Sequence, residues 1–272
     1  MIILTKEVAD KIVSAKGRVN VSLDLGISQS EVVVDKQALI DNQKIELSDL
    51  GKLKERTCYV LEDGALKRIA FFSNETNLYY KLLPTRDWPT ITLSSTPMHR
   101  FTFVSPREDT EAKIREISPV QGRILDTCCG LGYTAIMSAK DADEVHTFER
   151  DENVLRIGSY NPHSQELFSN KKIHLHKEDI NNAISKLKDS YFDRIIHDPP
   201  TFKYAPELYS STFHRELFRI LKKGGILYHY CPAPQRTKGK TMYPGIIRRL
   251  KEAGFKGAEY HESSSGIRAV KQ

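Results

Sequence analysis

The feature that most constrains this chain is a change of rhythm near residue 105. Beyond it, short β-rich apolar runs alternate with longer stretches of helical character. The runs are Arg123–Thr127, Glu144–Phe148, Ile173–His176, Asp193–His197, Gly225–Tyr230, Ala258–His261 and Gly266–Val270, with helices expected notably at Glu207–Leu221 and Pro244–Ala253. Strand–helix alternation of this kind requires right-handed crossovers and a parallel sheet covered on both faces. Only Glu262–Ser265 separates the last two runs, so they must form an antiparallel hairpin. Pro106 and the acidic stretch Glu108–Asp109 suit the start of a helix.

Before residue 105 the pattern is different. Arg18–Leu25 is apolar at every second position, Glu31–Val34 is β-branched, and Thr57–Leu61 and Leu66–Phe72 flank the hairpin signal Asp63-Gly64. Asn77–Leu83 and Thr90–Leu93 read as two more strands. The chain is therefore expected to hold a small, mostly β domain over 1–104 and an α/β domain over 105–272. The first is a candidate for substrate recognition.

A 39% hydrophobic and 28% charged composition suits a chain that buries a core. No apolar run approaches the ~20 residues that span a bilayer, and the N-terminus is not that of a secretory signal. Adjacent Cys128 and Cys129, with Cys58 and Cys231, offer neither a disulfide framework nor the paired spacing of a zinc site. A reducing, cytoplasmic setting with no metal is the expectation. The net charge of +6 and pI near 9.0 favour an anionic partner.

The sharpest motif is Arg123-Ile124-Leu125-Asp126-Thr127-Cys128-Cys129-Gly130-Leu131-Gly132-Tyr133-Thr134. A β-run ends in an acid, and Gly-x-Gly then opens a helix. Glycines admit backbone close to a ligand, helix N–H groups suit a carboxylate, and Asp126 suits a ligand ammonium. Glu149 closes the next strand, where an acid roughly 20 residues on binds ribose hydroxyls. The third strand leads to Glu178-Asp179-Ile180 and the fourth to Asp198-Pro199-Pro200-Thr201-Phe202. Two prolines fix the backbone and remove its donors, leaving the Asp198 carboxylate and the Pro199 carbonyl as acceptors that hold an NH2 group.

The order acid–Gly-x-Gly, acid, acid, Asp-Pro-Pro, each closing a strand, resembles the class I S-adenosylmethionine-dependent methyltransferase superfamily over residues 120–272. That resemblance implies a Rossmann-like seven-stranded sheet and S-adenosylmethionine as cofactor. It implies cofactor contacts from Asp126, Cys128, Gly130, Gly132, Tyr133, Glu149, Arg150, Asp179 and the Ile180 backbone, and a reaction centre at Asp198, Pro199, Pro200 and Phe202. The segments Ile195–Phe202, Glu207–Tyr209, Phe213–Leu217 and Gly224-Gly225, with Val21–Gly26 and Met98-His99-Arg100, are similar to a family of predicted archaeal methyltransferases.

Asp-Pro-Pro-Thr-Phe departs from the amino-methyltransferase motif, because Thr201 stands where the aromatic is expected and Phe202 comes one later. It resembles the motif of bacterial large-subunit rRNA methyltransferases. The implied activity is N-methylation of a nucleobase in tRNA or rRNA. Two alternatives stand beside it: a methyltransferase acting on a protein or small amine, and an aminopropyltransferase of the spermidine-synthase type. His99 and Arg100, beside aromatics, and the cationic run Arg236, Lys238 and Lys240 are candidate RNA contacts. His197 and Cys231 read as core residues.

Overall fold

The computed structural model describes residues 1–231 and 242–272. The chain divides into two compact units: residues 1–107 with 153–165, and residues 108–152 with 166–272.

The first unit is built from antiparallel ribbons. Gly17–Val21, Ser30–Val34, Gln37–Ile40 and Gln43–Glu46 form one four-stranded sheet in that order. Its apolar residues pack with those of the helix Lys6–Ser14, which Thr5 caps by accepting from the Val8 N–H at 3.4 Å. The expected Asp63-Gly64 hairpin joins Tyr59–Glu62 to Ala65–Arg68, with both turn residues at positive φ. The run expected over Leu66–Phe72 breaks at Ile69, and Ala70–Ser73 joins a different sheet beside Leu78–Leu83, Thr90–Leu93 and Thr96–Pro97. Residues 153–165, which the sequence reading leaves with the α/β domain, belong here. Arg156 stacks over Phe71 at 4.3 Å and His163 Nε2 donates to the Leu25 carbonyl at 3.0 Å.

The second unit contains the α/β sheet. Its strands are β1 (Arg123–Asp126), β2 (Glu144–Phe148), β3 (Ile173–His176), β4 (Phe192–His197), β5 (Leu221–Tyr230), β6 (Lys256–His261) and β7 (Gly266–Val270). They lie in the order β3-β2-β1-β4-β5-β7-β6. The first five are parallel, and β7 runs antiparallel between β5 and β6. This is the class I methyltransferase sheet. Helices α1 (Pro106–Glu116), α2 (Tyr133–Ala139), α3 (Ser211–Ile220) and α4 (Tyr243–Ala253) accompany it. The helix expected over Glu207–Leu221 is a 3-10 turn, Pro206–Tyr209, followed by α3, because Ser210 caps α3 by accepting from the Phe213 N–H. The strand order reverses between β1 and β4, the switch point where open α/β sheets hold ligands outside their carboxyl ends.

Behind β4 and β5 lies a buried polar chain. His197 Nε2 donates to the Leu208 carbonyl at 3.0 Å, so its Nδ1 accepts from the Thr127 hydroxyl at 2.7 Å. His229 Nδ1 donates to the Tyr230 carbonyl at 2.7 Å, so its Nε2 accepts from His214 Nε2 at 3.1 Å. Carbonyl acceptors thus fix every tautomer in the chain. Burial holds all three rings neutral, His197 well below its usual range, His229 at about 4 and His214 at about 2. The unfolded chain takes up protons below about 6.5 that the folded chain refuses, so the stability these rings contribute falls as pH drops toward 4. Tautomer-sensitive 15N NMR is expected to find His197 and His214 neutral at pH 5.5, each protonated on Nε2; a charged ring at that pH would contradict the assignment.

Candidate active site

Asp126 closes β1 and is fully buried. Its Oδ2 accepts from the Thr134 and Thr147 hydroxyls at 3.1 and 2.9 Å, while Oδ1 is buried with no hydrogen-bond partner among the described residues. Burial pushes this carboxyl up to about 7. Gly130 and Gly132 both take positive φ, +55° and +79°. A Cβ on Gly132 would in addition meet the Leu167 side chain at 2.8 Å, so the turn excludes any larger residue there.

Glu149, one residue beyond β2, fastens this turn. Its Oε2 accepts from the Gly130 N–H and its Oε1 from the Asp151 N–H, each at 2.9 Å. Burial raises this carboxyl to about 7 in spite of both bonds. Tyr133 and Ile180 are buried. Cys128 is half-buried and Cys129 buried, and desolvation drives both thiols well above their ordinary range. Neither carries a ready thiolate.

At the third strand tip, both oxygens of Asp179 are engaged. Oδ1 caps the short helix Ile180–Ala183 by accepting from the Asn181 N–H, and Oδ2 pairs with Arg150 Nη1 at 2.9 Å. Arg150 also lies 3.7 Å from Glu207. The sequence suggests Asp179 as a cofactor contact; in the structure it holds a neighbouring cation.

The reaction-centre residues cluster at the end of β4, and a residue the sequence reading passed over organises them. Lys113 Nζ lies 2.6 Å from Asp198 Oδ2 and 2.8 Å from Asp109 Oδ2, with its side chain 4% exposed. Burial opposes the ammonium, but the two carboxylates outweigh it and hold Lys113 charged. Burial raises Asp198 against the pull of Lys113; the short contact between them is an ion pair with the proton on nitrogen. The Lys113 ammonium also lies 5.1 Å from the centre of the Tyr230 ring.

Pro199 is buried and Pro200 exposed. The Pro200 carbonyl accepts from the buried Tyr209 hydroxyl at 2.8 Å, which fixes the loop. Phe202 meets Tyr209 edge-on at 5.7 Å and is 51% exposed. Exposed Lys203 and Tyr204 follow it, the lysine 5.6 Å from the tyrosine ring centre. Tyr209, Asp109 and Tyr230 join Lys113 as residues that local sequence did not reveal. The spacing of Asp109 and Lys113, one helical turn apart, was the only signal.

His99 and Arg100 belong to the first unit, where the His99 ring and backbone both bond the Thr90 hydroxyl, at 2.9 and 3.2 Å. The Arg236, Lys238 and Lys240 run lies outside the described residues. Cys231 is fully buried, and desolvation puts its thiol at about 11, so it carries no ready thiolate.

Residues 110–237 match the methyltransferase small domain. The chain is 36% identical to the uncharacterized protein MJ1233 of Methanocaldococcus jannaschii, over 98% of its own length and 95% of that protein's. It is 29% identical over 112 residues to a polyamine aminopropyltransferase of Prochlorococcus marinus, covering 40% of this chain and 39% of that one. Spermidine synthase from Thermotoga maritima shares the fold at 16% identity, with a TM-score of 0.58 over 75% of this chain and 72% of the other. Near-full-length likeness places the chain in the family of MJ1233, and the methyltransferase small domain on the seven-stranded sheet makes the chain a class I S-adenosylmethionine-dependent methyltransferase.

Proposed function

We propose that this enzyme N-methylates an exocyclic amino group on a nucleobase of tRNA or rRNA. The observation that carries the proposal is the Lys113–Asp198 pair. Lys113 occupies Oδ2, so acceptance of an NH2 falls to Oδ1 and the Pro199 carbonyl, on a loop with no N–H at either proline. Two acceptors turn the nitrogen lone pair away from themselves, which makes a weakly basic amine nucleophilic by orientation. A proton leaving the methylated nitrogen has the Asp198 carboxylate beside it.

Phe202, Lys203 and Tyr204 support a nucleobase as acceptor, since exposed rings interleaved with a cation suit base stacking and phosphate contact. The chain's net charge of +6 agrees with a polyanionic partner. The matched transferase domain begins only at residue 110, which leaves the first unit for acceptor recognition, with His99 and Arg100 as contacts. Arg236, Lys238 and Lys240 are assigned to phosphate on sequence grounds.

S-adenosylmethionine supplies a methyl group on a sulfonium, an excellent leaving group. The residues present fit it. The unpartnered Asp126 Oδ1 suits its ammonium, the Gly130–Gly132 turn admits close backbone approach, and Glu149 suits ribose hydroxyls. The Asp179 region and the Ile180 N–H take the adenine. The cysteine spacing offers no disulfide framework, and no described helix is long and apolar enough to cross a membrane; the cytoplasm is the proposed compartment. The likeness to polyamine aminopropyltransferase favours one competing reading, transfer of an aminopropyl group from the decarboxylated cofactor to an amine.

Glu149→Ala removes a ligand bond and the fastening of Gly130 together. Calorimetry is expected to show S-adenosylmethionine binding weakened by about 1.5–3 kcal/mol, the worth of charged hydrogen bonds; unchanged affinity would refute the ribose assignment. For the acceptor, the enzyme is incubated with methyl-labelled S-adenosylmethionine and total RNA from cells lacking the gene, and nucleosides are separated by mass. Label in an N-methylated base is the expected outcome. Label in protein or a small amine, or methylthioadenosine formed from decarboxylated cofactor and a diamine, would replace the proposal.

A further inference from the structure

The opposite end of the same sheet carries a second concentration of chemistry that methyl transfer does not use. Glu144 opens β2, far along the strand from the carboxyl end that leads to Glu149. His146 follows two residues later, so both side chains leave the same face. His174 on β3 is the register partner of His146, and His176 is two residues beyond it. The His146 ring lies 4.9 Å from that of His174 and 5.4 Å from that of His176.

One ligand atom each from Glu144, His146 and His174 falls within 4.8 Å of the other two. His146 Nε2 is 3.7 Å from Glu144 Oε1, and His174 Nε2 is 3.7 Å from Glu144 Oε2. Those separations are too long for hydrogen bonds. Each is close to the edge of a metal tetrahedron, about 3.3 Å for bonds of 2.0–2.1 Å, and the two end on the two different oxygens of Glu144. The convergent nitrogen of His146, Nε2, is buried and has no hydrogen-bond partner among the described residues.

The surrounding bonds have the form of a supporting shell. His146 Nδ1 lies 3.1 Å from His176 Nε2; in the tautomer with the proton on Nδ1, His146 donates to His176 and its Nε2 lone pair is left for a cation. Metal-binding histidines commonly use their second nitrogen in this way. Glu144 is aimed by the Arg123 Nε–H at 2.6 Å and the Tyr191 hydroxyl at 2.8 Å, both on Oε1, which leaves Oε2 to face His174. His174 is exposed and provides a route of entry.

We propose that Glu144, His146 and His174 form a binding site for one first-row divalent cation, zinc by ligand type, separate from the methyltransferase centre. Two imidazoles and a carboxylate suit zinc, with water completing the tetrahedron. The cation ties β3, the edge strand, to β2, so its role is to stabilise the sheet rather than to react.

The test uses the full chain without a histidine tag, stripped with chelator and titrated with zinc chloride by calorimetry. One equivalent is expected to bind, with a rise in melting temperature. His174→Ala changes an exposed residue and is expected to weaken zinc binding more than tenfold and abolish the thermal shift, while S-adenosylmethionine affinity holds. His176→Phe is expected to weaken zinc 10–100-fold through loss of the orienting bond, the usual effect of removing such a partner. Cobalt in place of zinc is expected to give the visible absorption of a tetrahedral site. No stoichiometric binding, or binding that survives both His174→Ala and Glu144→Gln, would overturn the proposal.

Discussion

The proposed reaction centre depends on one buried ion pair, Lys113 with Asp198. In the proposed reaction Asp198 accepts a hydrogen bond from a neutral amine, a role that favours an ionised acid held still, yet burial at the end of β4 works against ionisation. Lys113 meets both demands at 2.6 Å from Oδ2. Such pairs are costly to assemble, because desolvation offsets most of the attraction, and breaking one by removing a partner costs about 3–5 kcal/mol. Asp109 and the Tyr230 ring complete the surroundings of the ammonium. The helix that carries Lys113 therefore reaches the proposed reaction centre, although it precedes the first strand of the sheet.

The rest of the sheet brings its chemical groups to the same end. Parallel strands deliver their carboxyl termini together, so Asp126, Glu149, the Asp179 region and Asp198 converge although they are far apart in sequence. Each tip is then fixed by a bond of its own: Thr134 and Thr147 on Asp126, the Gly130 and Asp151 amides on Glu149, and Tyr209 on the Pro200 carbonyl. Behind them the neutral histidine chain bonds β1, β4 and the loop at Leu208 without introducing a buried charge.

What the sequence disclosed follows from the range of the forces involved. The seven strands of the sheet were legible because short apolar, β-rich runs bounded by turn residues are local signals, and the Glu262–Ser265 turn allowed only a hairpin. The first unit was read less well. Its four-residue strands Gln37–Ile40 and Gln43–Glu46 are too short for a clear period, and the helix Lys6–Ser14 was missed although Thr5 caps it. Lys113 escaped because its partner Asp198 is separated by most of the domain, and the acidic residues around it read as a helix start. Tyr209 was noticed only for family likeness. The histidines of β2 and β3 read as strand residues, since register between strands, which no single-strand pattern contains, is what brings them to Glu144.

The central claim is that Asp198 orients the acceptor and is not a cofactor ligand. It is tested most directly by measuring, on Asp198→Ala, both the single-turnover rate of methyl transfer and the affinity for S-adenosylmethionine, with Cys231→Ser as the parallel variant. The account predicts a rate lower by about two orders of magnitude or more, the cost of misplacing a reactant by about 1 Å, with cofactor affinity nearly unchanged and Cys231→Ser active. An active Asp198→Ala beside an inactive Cys231→Ser would contradict it and point to a covalent cysteine mechanism; loss of cofactor affinity in step with rate would contradict the assignment of Asp198 to the acceptor.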